Sequence, residues 1–202
     1  MIVKRVGIIN WITFLTYVIV ITFSPGPNNI TSMVYGSKYK IKIVMNYIIG
    51  IWVGFFLVML ATGVFNLVLI DLFPNIEKYL GYIGSIYLSF LAVNMLFSNP
   101  EESQIDSLVT TKLVAIGMSI QLINPKVIMY GMLAMSSFIL PVYNNFLQMT
   151  LFSILLASTA FISCSVWALF GNFFSKYLKR NELLFKVIVS SLLFYCAYMI
   201  IR

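Results

Sequence analysis

Long apolar stretches separated by short polar segments dominate the chain. They predict six helices, near Ile8–Tyr35, Ile43–Asn66, Leu80–Phe97, Leu113–Leu140, Phe146–Phe174 and Leu184–Ile201. Each stretch reaches the roughly 18 residues that suggest a membrane span. The connecting segments are short, as expected between adjacent spans. The pattern therefore predicts an all-α membrane protein with six transmembrane helices in a single transmembrane domain over residues 1–202.

The two halves of the chain repeat the same order of apolar stretches. A shift of about one hundred residues places the first three predicted spans, within about 1–99, on the last three, within about 107–202. The same shift aligns Pro25 with Pro125. Because each half has an odd number of spans, the second must enter the membrane from the opposite side, which gives two inverted three-helix repeats. Inverted repeats with broken helices are typical of secondary transporters, whose transport domain binds substrate at the breaks.

Composition supports this class and argues against others. The chain is 61% hydrophobic and 9% charged, which leaves too few polar residues to cover a soluble globule. Its net charge of +7 comes from Lys and Arg that cluster between apolar stretches, so we interpret them as topology signals and expect no nucleic-acid partner. With no histidine, no CxxC pair and no catalytic triad, the chain is expected to be no enzyme and to need no metal or cofactor.

The positive charges also predict an orientation. The first, third and fifth predicted loops share one side, which carries about eight Lys or Arg when Lys186 near the start of the last stretch is counted, against about four on the side of both termini. The positive-inside rule places the basic loops in the cytoplasm. We therefore expect a multi-pass protein of the cell membrane, in contact with the lipid bilayer, with both termini outside. The first apolar stretch lacks a small-residue cleavage site, which predicts a first span rather than a cleaved signal peptide.

The motif SPGPNN at residues 24–29 interrupts the first predicted span. Because proline has no N–H, its two prolines would free the carbonyls of Ile21 and Phe23 from the helix. A helix that restarts at Pro27 would present new N-terminal amides, from Asn28 to Thr31, which favour an anion. The break thus offers acceptors for an ammonium and donors for a carboxylate, as a zwitterionic amino acid requires. A simple proline kink is the alternative.

A second break, at QLINPK in residues 121–126, contains the one formal charge deep in an apolar stretch. A lysine at mid-bilayer costs roughly 2.5–3.5 kcal/mol on insertion scales and usually faces a polar interior. Lys126 is therefore the leading candidate to hold a substrate carboxylate or to exchange a proton, with snorkelling to a headgroup as the alternative. The two breaks together predict a substrate-binding site formed by Pro25, Gly26, Pro27, Asn28, Asn29, Gln121, Asn124, Pro125, Lys126 and Tyr130.

Other motifs are interpreted as packing features. Gly50 and Gly54 form a GxxxG pair, which is typical of helix packing or of a homodimer surface. Cys164 and Cys196 lie in apolar stretches and are expected to be small, buried apolar residues. A membrane thiol–disulfide carrier that uses these cysteines is the alternative from another functional class, and it would require accessible, reactive thiols.

At these motifs the chain resembles the lysine exporter/RhtB (LysE-type) family of amino-acid efflux proteins. The likeness is carried by SPGPNN at 24–29, KYLGYIGSIYL at 78–88 and INPKVIMYG at 123–131. It implies six helices, export of small amino acids and coupling to the proton motive force. It also places the following residues at signature positions: Pro25, Gly26, Pro27, Asn28, Asn124, Pro125 and Lys126.

Further segments resemble the members of that family that export cysteine and O-acetylserine. These segments are SFILP at 137–141, VWALFG at 166–171 and LLFYCA at 192–197. The resemblance implies these two substrates, with threonine, homoserine or a basic amino acid as alternatives. Many family members carry an acidic residue in the membrane, whereas every Asp and Glu here lies in a predicted loop. Proton exchange would therefore fall to Lys126 or to water.

Overall fold

The computed structural model describes residues 11–68, 109–143 and 145–201, together with eight residues between 82 and 96. These residues are almost all helical, and no strand occurs among them. The helices are α1 (Trp11–Phe23), α2 (Pro27–Lys38), α3 (Ile41–Val68), α4 (Val109–Ile123), α5 (Pro125–Ala134), α6 (Phe146–Phe173), α7 (Ser175–Arg180) and α8 (Glu182–Ile201). A π-helical turn, Met135–Ile139, continues α5.

Three predicted helices, the second, fifth and sixth, begin and end within two residues of α3, α6 and α8. The first and fourth predicted spans, which the sequence predicts to be broken at Pro25/Pro27 and at Pro125, each correspond to two helices, α1 with α2 and α4 with α5. The predicted start at Ile8 and most of the third predicted span lie outside the described residues, although the eight residues described in that span are helical.

Within the described residues, two helices are long and apolar enough to cross a membrane. They are Ile41–Phe65 of α3 and the whole of α6, and the bent pair of α4 and α5 would make a third. Half of the most apolar stretch of α3 and 39% of that of α6 are buried inside the protein. Large apolar side chains cover the rest, as expected of surfaces that face lipid. The six-span inverted repeat stays a prediction.

The break between α1 and α2 follows from the backbone chemistry of its residues. The amide of Ser24 makes the last helical bond of α1, to Val20, and Gly26 is fully extended before Pro27 opens α2. The amide of Ile30 already bonds the Gly26 carbonyl at 2.9 Å. The helix N-terminus expected from Asn28 to Thr31 is therefore reduced to the amides of Asn28 and Asn29.

The break between α4 and α5 is a capped helix start. The Asn124 side chain accepts a hydrogen bond of 3.1 Å from the Lys126 amide, and Pro125 occupies the first position of α5. Asparagine at the N-cap followed by proline is a favoured combination, because the missing proline N–H would have no helical partner. The segments on either side of the break are bent by 62°.

Glycines allow two close helix crossings. The helix α3 packs chiefly against α4 and α6, and α2 packs against α6. A Cβ added to Gly50 would collide with the Val114 backbone, and one added to Gly36 would collide with the Ala168 backbone. Gly50 and Gly54 thus pack against α4 within the chain. A homodimer would need a different surface.

Candidate functional site

A partly open cavity lies between the two helix breaks. Its empty space, including the open mouth, is about 380 Å³. Five helices contribute to its wall, which consists of Ile21, Thr22, Gly26, Pro27, Asn28, Asn29, Phe55, Asn124, Lys126, Val127, Tyr130, Ala160 and Cys164.

Most of the residues predicted for a site meet at this cavity. Seven of the ten line it, namely Gly26, Pro27, Asn28, Asn29, Asn124, Lys126 and Tyr130. The other three lie beside it. Pro25 contributes a backbone carbonyl that accepts from Lys126, Gln121 is fully buried against Asn28, and Pro125 is the buried first residue of α5.

The ammonium of Lys126 connects the two breaks. Its Nζ donates to the Ser24 hydroxyl at 2.9 Å, to the Ser24 carbonyl at 3.0 Å and to the Pro25 carbonyl at 3.4 Å. These oxygens belong to the segment between α1 and α2, where the prolines end the helix. A cation in a membrane helix is costly without such partners, so the first break provides the polar environment that Lys126 requires.

Protein donors satisfy the carbonyls that the first break removes from the helix. The Ser24 hydroxyl donates to the Ile21 carbonyl at 2.8 Å, and the Trp167 indole donates to the Phe23 carbonyl at 3.3 Å. The prediction treated these two oxygens as acceptors for a substrate ammonium. In this conformation the carbonyls of the break that accept from the cavity cation are instead those of Ser24 and Pro25.

Asn29 joins the first break to α6. Its amide group donates to the Thr22 carbonyl at 2.8 Å and to the Ser24 carbonyl at 2.9 Å. Its side-chain oxygen accepts from the Ser163 hydroxyl at 3.2 Å and from the Cys164 thiol at 3.5 Å. With 4% of its surface exposed, Asn29 uses both ends of its side chain. These hydrogen bonds therefore fix the conformation of the backbone between α1 and α2.

A network of side-chain amides links the two breaks on the opposite side. Asn28 and Gln121 exchange two hydrogen bonds, of 2.7 and 3.2 Å. Gln121 also donates to the Gly117 carbonyl at 2.9 Å, and Asn124 donates to Asn28 at 3.3 Å. Buried polar groups are normally paired in this way, and the pairing holds α2 against α4.

Aromatic rings form the apolar wall of the cavity. The rings of Tyr130 and Tyr17 are stacked with centroids 5.4 Å apart, and the Tyr17 hydroxyl donates to the Tyr130 carbonyl at 3.1 Å. The Phe55 ring lies 5.6 Å from that of Tyr130. The cavity thus has a polar side, with a cation, and an aromatic side.

The match of this chain to known proteins agrees with that arrangement. Residues 19–202 match the model of the family described as LysE type translocator. The chain belongs to this family. It is therefore a membrane translocator, in agreement with the length and apolar composition of α3 and α6. No solved structure matches the chain.

Curated relatives of this translocator cover most of its length. A protein of Salmonella paratyphi A is 31% identical over 91% of this chain and 93% of its own length. One of Escherichia coli O1:K1 is 30% identical over the same shares, and one of Klebsiella pneumoniae is 29% identical over 93% and 95%. All three are named cysteine/O-acetylserine efflux protein.

Several residues in the cavity wall of the translocator were not predicted from the sequence. Phe55, Val127 and Ala160 are apolar residues in apolar helices, and nothing in the sequence separates them from residues that face lipid. Cys164 was expected to be a small buried residue; it is 1% exposed, but it also lines the cavity and bonds Asn29. Small polar residues inside an apolar stretch, such as Ser163 beside Cys164, were the available signal.

Proposed function

We propose that this translocator is a secondary transporter that exports small neutral amino acids, cysteine and O-acetylserine in particular, out of the cytoplasm. The cavity between the two breaks is its substrate site. The observation that carries the proposal is the Lys126 ammonium, which lies in the wall of a small cavity and is held by backbone oxygens of a broken helix. The names of the relatives supply the substrate class.

The carboxylate of the substrate would bind on the side of Lys126. Besides the ammonium, the amides of Asn28 and Asn29 at the start of α2 favour an anion, because a helix N-terminus carries a partial positive charge. When Lys126 turns towards the carboxylate, the Ser24 and Pro25 carbonyls become acceptors for the substrate ammonium. The substrate carboxylate would then bind Lys126, and the substrate ammonium would take the carbonyl oxygens that Lys126 releases.

The charges of the wall disfavour a basic substrate. Lys126 contributes a positive charge, and no acidic residue is among the residues that line the cavity. A second cation on the substrate side chain would therefore meet repulsion without compensation. Threonine and homoserine carry no such charge and remain the alternatives that a substrate panel must separate.

A thiol–disulfide carrier finds no support in the described residues. The Cys164 thiol is 1% exposed and donates to Asn29. Reactive thiols are typically part-exposed, whereas this one is buried and engaged by Asn29. The side chain of Cys196 lies outside the described residues.

Transport would proceed by alternating access. Two inverted three-helix repeats, within about 1–99 and 107–202, would rock against each other around the cavity. The contact between Lys126 and Ser24 crosses the boundary of these repeats, since the two residues lie 102 positions apart. Proton coupling would use Lys126 or water.

Efflux from liposomes tests the proposed function. Purified protein is reconstituted into liposomes loaded with labelled cysteine or O-acetylserine, with lysine and threonine as comparison substrates. We expect release of the first two above that of protein-free liposomes, and little release of lysine. Release of cysteine and O-acetylserine at the protein-free rate would overturn the substrate claim. Using the purified chain also distinguishes a transporter from a subunit that only supports another protein.

A further inference from the structure

Two hydroxyls in the cavity wall have no hydrogen-bond partner among the described residues. They belong to Tyr130, which is 3% exposed, and to Thr22. Both residues line the cavity. The Tyr130 hydroxyl lies near those of Thr22 and Thr159, but the geometry with neither is that of a hydrogen bond. A group of hydroxyls thus borders the cavity on its aromatic side.

This pair differs from the polar groups around it. The side chains of Asn28, Asn29, Gln121 and Asn124 are all engaged in hydrogen bonds with protein. A buried hydroxyl left unpaired costs about 1–3 kcal/mol, and folded proteins retain few of them. Where such a group borders a binding cavity, a ligand is the partner that would compensate for the cost.

We propose that the Tyr130 and Thr22 hydroxyls form a side-chain subsite, which rests on the proposed function and gives it its substrate preference. The subsite would recognise a small hydrogen-bonding group on the substrate side chain, such as a thiol, a hydroxyl or an ester oxygen. A hydroxyl both donates and accepts, so it can pair with each of these groups. Lys126 then binds the carboxylate common to all amino acids, and Tyr130 with Thr22 distinguishes among their side chains.

The subsite predicts rejection of aliphatic amino acids of matched size. In 2-aminobutyrate a methyl group replaces the thiol of cysteine, with little change in shape. Binding of 2-aminobutyrate would leave the two hydroxyls buried and unpaired. A site built to hydrogen-bond its substrate discriminates strongly against an analogue that lacks the group. For one neutral hydrogen bond the expected preference for cysteine is about tenfold.

Liposome efflux of cysteine, O-acetylserine and 2-aminobutyrate tests this subsite in four proteins. They are the wild type, Tyr130→Phe, Thr22→Val and the control Tyr143→Phe, which removes a hydroxyl outside the cavity wall. We expect the wild type and the control to prefer cysteine over 2-aminobutyrate about tenfold. In Tyr130→Phe and Thr22→Val the ratio should fall towards one, because cysteine export drops while 2-aminobutyrate export is kept. A melting curve in detergent shows that each variant is folded.

The outcomes separate the two proposals. A wild-type ratio near one, or a ratio unchanged in both Tyr130→Phe and Thr22→Val, would overturn the subsite and leave the proposed function intact. Absence of export of all three amino acids by the wild type would overturn the proposed function and the subsite with it.

Discussion

The Lys126 ammonium lies 2.9 Å from the Ser24 hydroxyl, so the cation of the second helix break is bound at the first. The prolines supply both halves of this contact. Pro25 removes a donor from the end of α1 and leaves backbone oxygens exposed, while Pro125 starts α5 and places Lys126 in its first turn. The backbone oxygens of the first break and the ammonium of the second are therefore hydrogen-bond partners of each other. This pairing explains why a charged residue is tolerated deep in an apolar stretch.

Lys126→Met should abolish transport while leaving the protein inserted in the membrane. Methionine keeps most of the length of the unbranched side chain but removes the charge that would bind the substrate carboxylate. We expect efflux of cysteine to fall by at least about tenfold, the effect of losing one charge-assisted hydrogen bond. Efflux from liposomes, corrected for the amount of reconstituted protein, measures the change.

Lys112→Met provides the matched control for that variant. Lys112 is exposed near the start of α4 and does not line the cavity. Its replacement should leave efflux within about twofold of the wild type, because exposed charges contribute little. Near-normal transport by Lys126→Met would remove this residue from the site.

Two glycine substitutions should impair the protein for different reasons, one by slowing transport and the other by preventing folding. A Cβ on Gly26 would lie 2.8 Å from the Lys126 ammonium, at the end of a flexible side chain that can move. Gly26→Ala is therefore expected to fold but to displace Lys126 and slow transport. In Gly36→Ala the new Cβ meets the backbone of Ala168, which cannot yield without separating α2 from α6.

Melting temperature and transport, measured together, distinguish these two outcomes. Gly26→Ala should melt near the wild type and transport poorly, whereas Gly36→Ala should lose folded protein. A Gly36→Ala protein as stable as the wild type would show that the crossing of α2 and α6 is looser than the structure indicates. Normal transport by Gly26→Ala would show that the position of Lys126 is not critical.

The reciprocal hydrogen bonds between Asn28 and Gln121 should appear as energetic coupling. Gln121→Leu leaves the Asn28 amide without its 2.7 Å partner in a buried region, at a cost of about 1–3 kcal/mol. Asn28→Leu should cost a similar amount, and the double variant less than the sum. Residues in direct contact typically couple by about 0.5–3 kcal/mol. Unfolding in detergent measures the four corners of the cycle.

Asn46 supplies a control for this cycle. Its side chain donates to the Lys42 carbonyl of its own helix, at an exposed position. Asn46→Ala combined with Gln121→Leu should therefore be additive. A Gln121 and Asn28 cycle that is equally additive would mean that the amide network does not hold α2 against α4.

Polar residues account for what could be predicted from the sequence. Proline, asparagine and lysine are rare enough in apolar stretches to mark the breaks, and seven of the ten residues chosen on that basis line the cavity. Phe55 and Ala160 could not be found this way. In lipid both the core and the surface of a helix are apolar, so the hydrophobic pattern does not reveal which side faces the cavity.

Hydrogen-bond partners that lie far apart along the chain could not be predicted from the sequence either. With no acidic residue in the apolar stretches, Lys126 had no evident counter-charge, and only the folded chain brings the carbonyls of Ser24 and Pro25 to it. The same holds for Asn29, whose contact with Ser163 joins residues 134 positions apart. Backbone acceptors are present at every residue, so their selection depends on helix placement alone.

Asn29→Asp should destabilise the protein more than Ser163→Ala, which removes only one of the hydrogen bonds around Asn29. The shape is nearly unchanged, but the two donors that serve the Thr22 and Ser24 carbonyls become an acceptor. Carbonyl and carboxylate oxygens would then face each other in a buried place, and we expect a loss of more than about 2 kcal/mol. Ser163→Ala removes one donor and should cost about 1 kcal/mol. Melting curves that rank these two variants in the reverse order would contradict the role of Asn29 as the centre of the break.

Reporter fusions should place both termini outside. Eight Lys or Arg lie on the side of the first, third and fifth predicted loops, against four on the other, and this bias sets the orientation. Alkaline phosphatase, which is active only outside the cytoplasm, should be active when fused after Arg202. Fused after Arg180, at the end of α7 and before the last apolar stretch, it should be inactive. A single remaining span, α8, would separate the two fusion points, so equal activity at both would contradict a spanning α8. The reverse pattern would place the termini in the cytoplasm and overturn the orientation while leaving the number of spans unchanged.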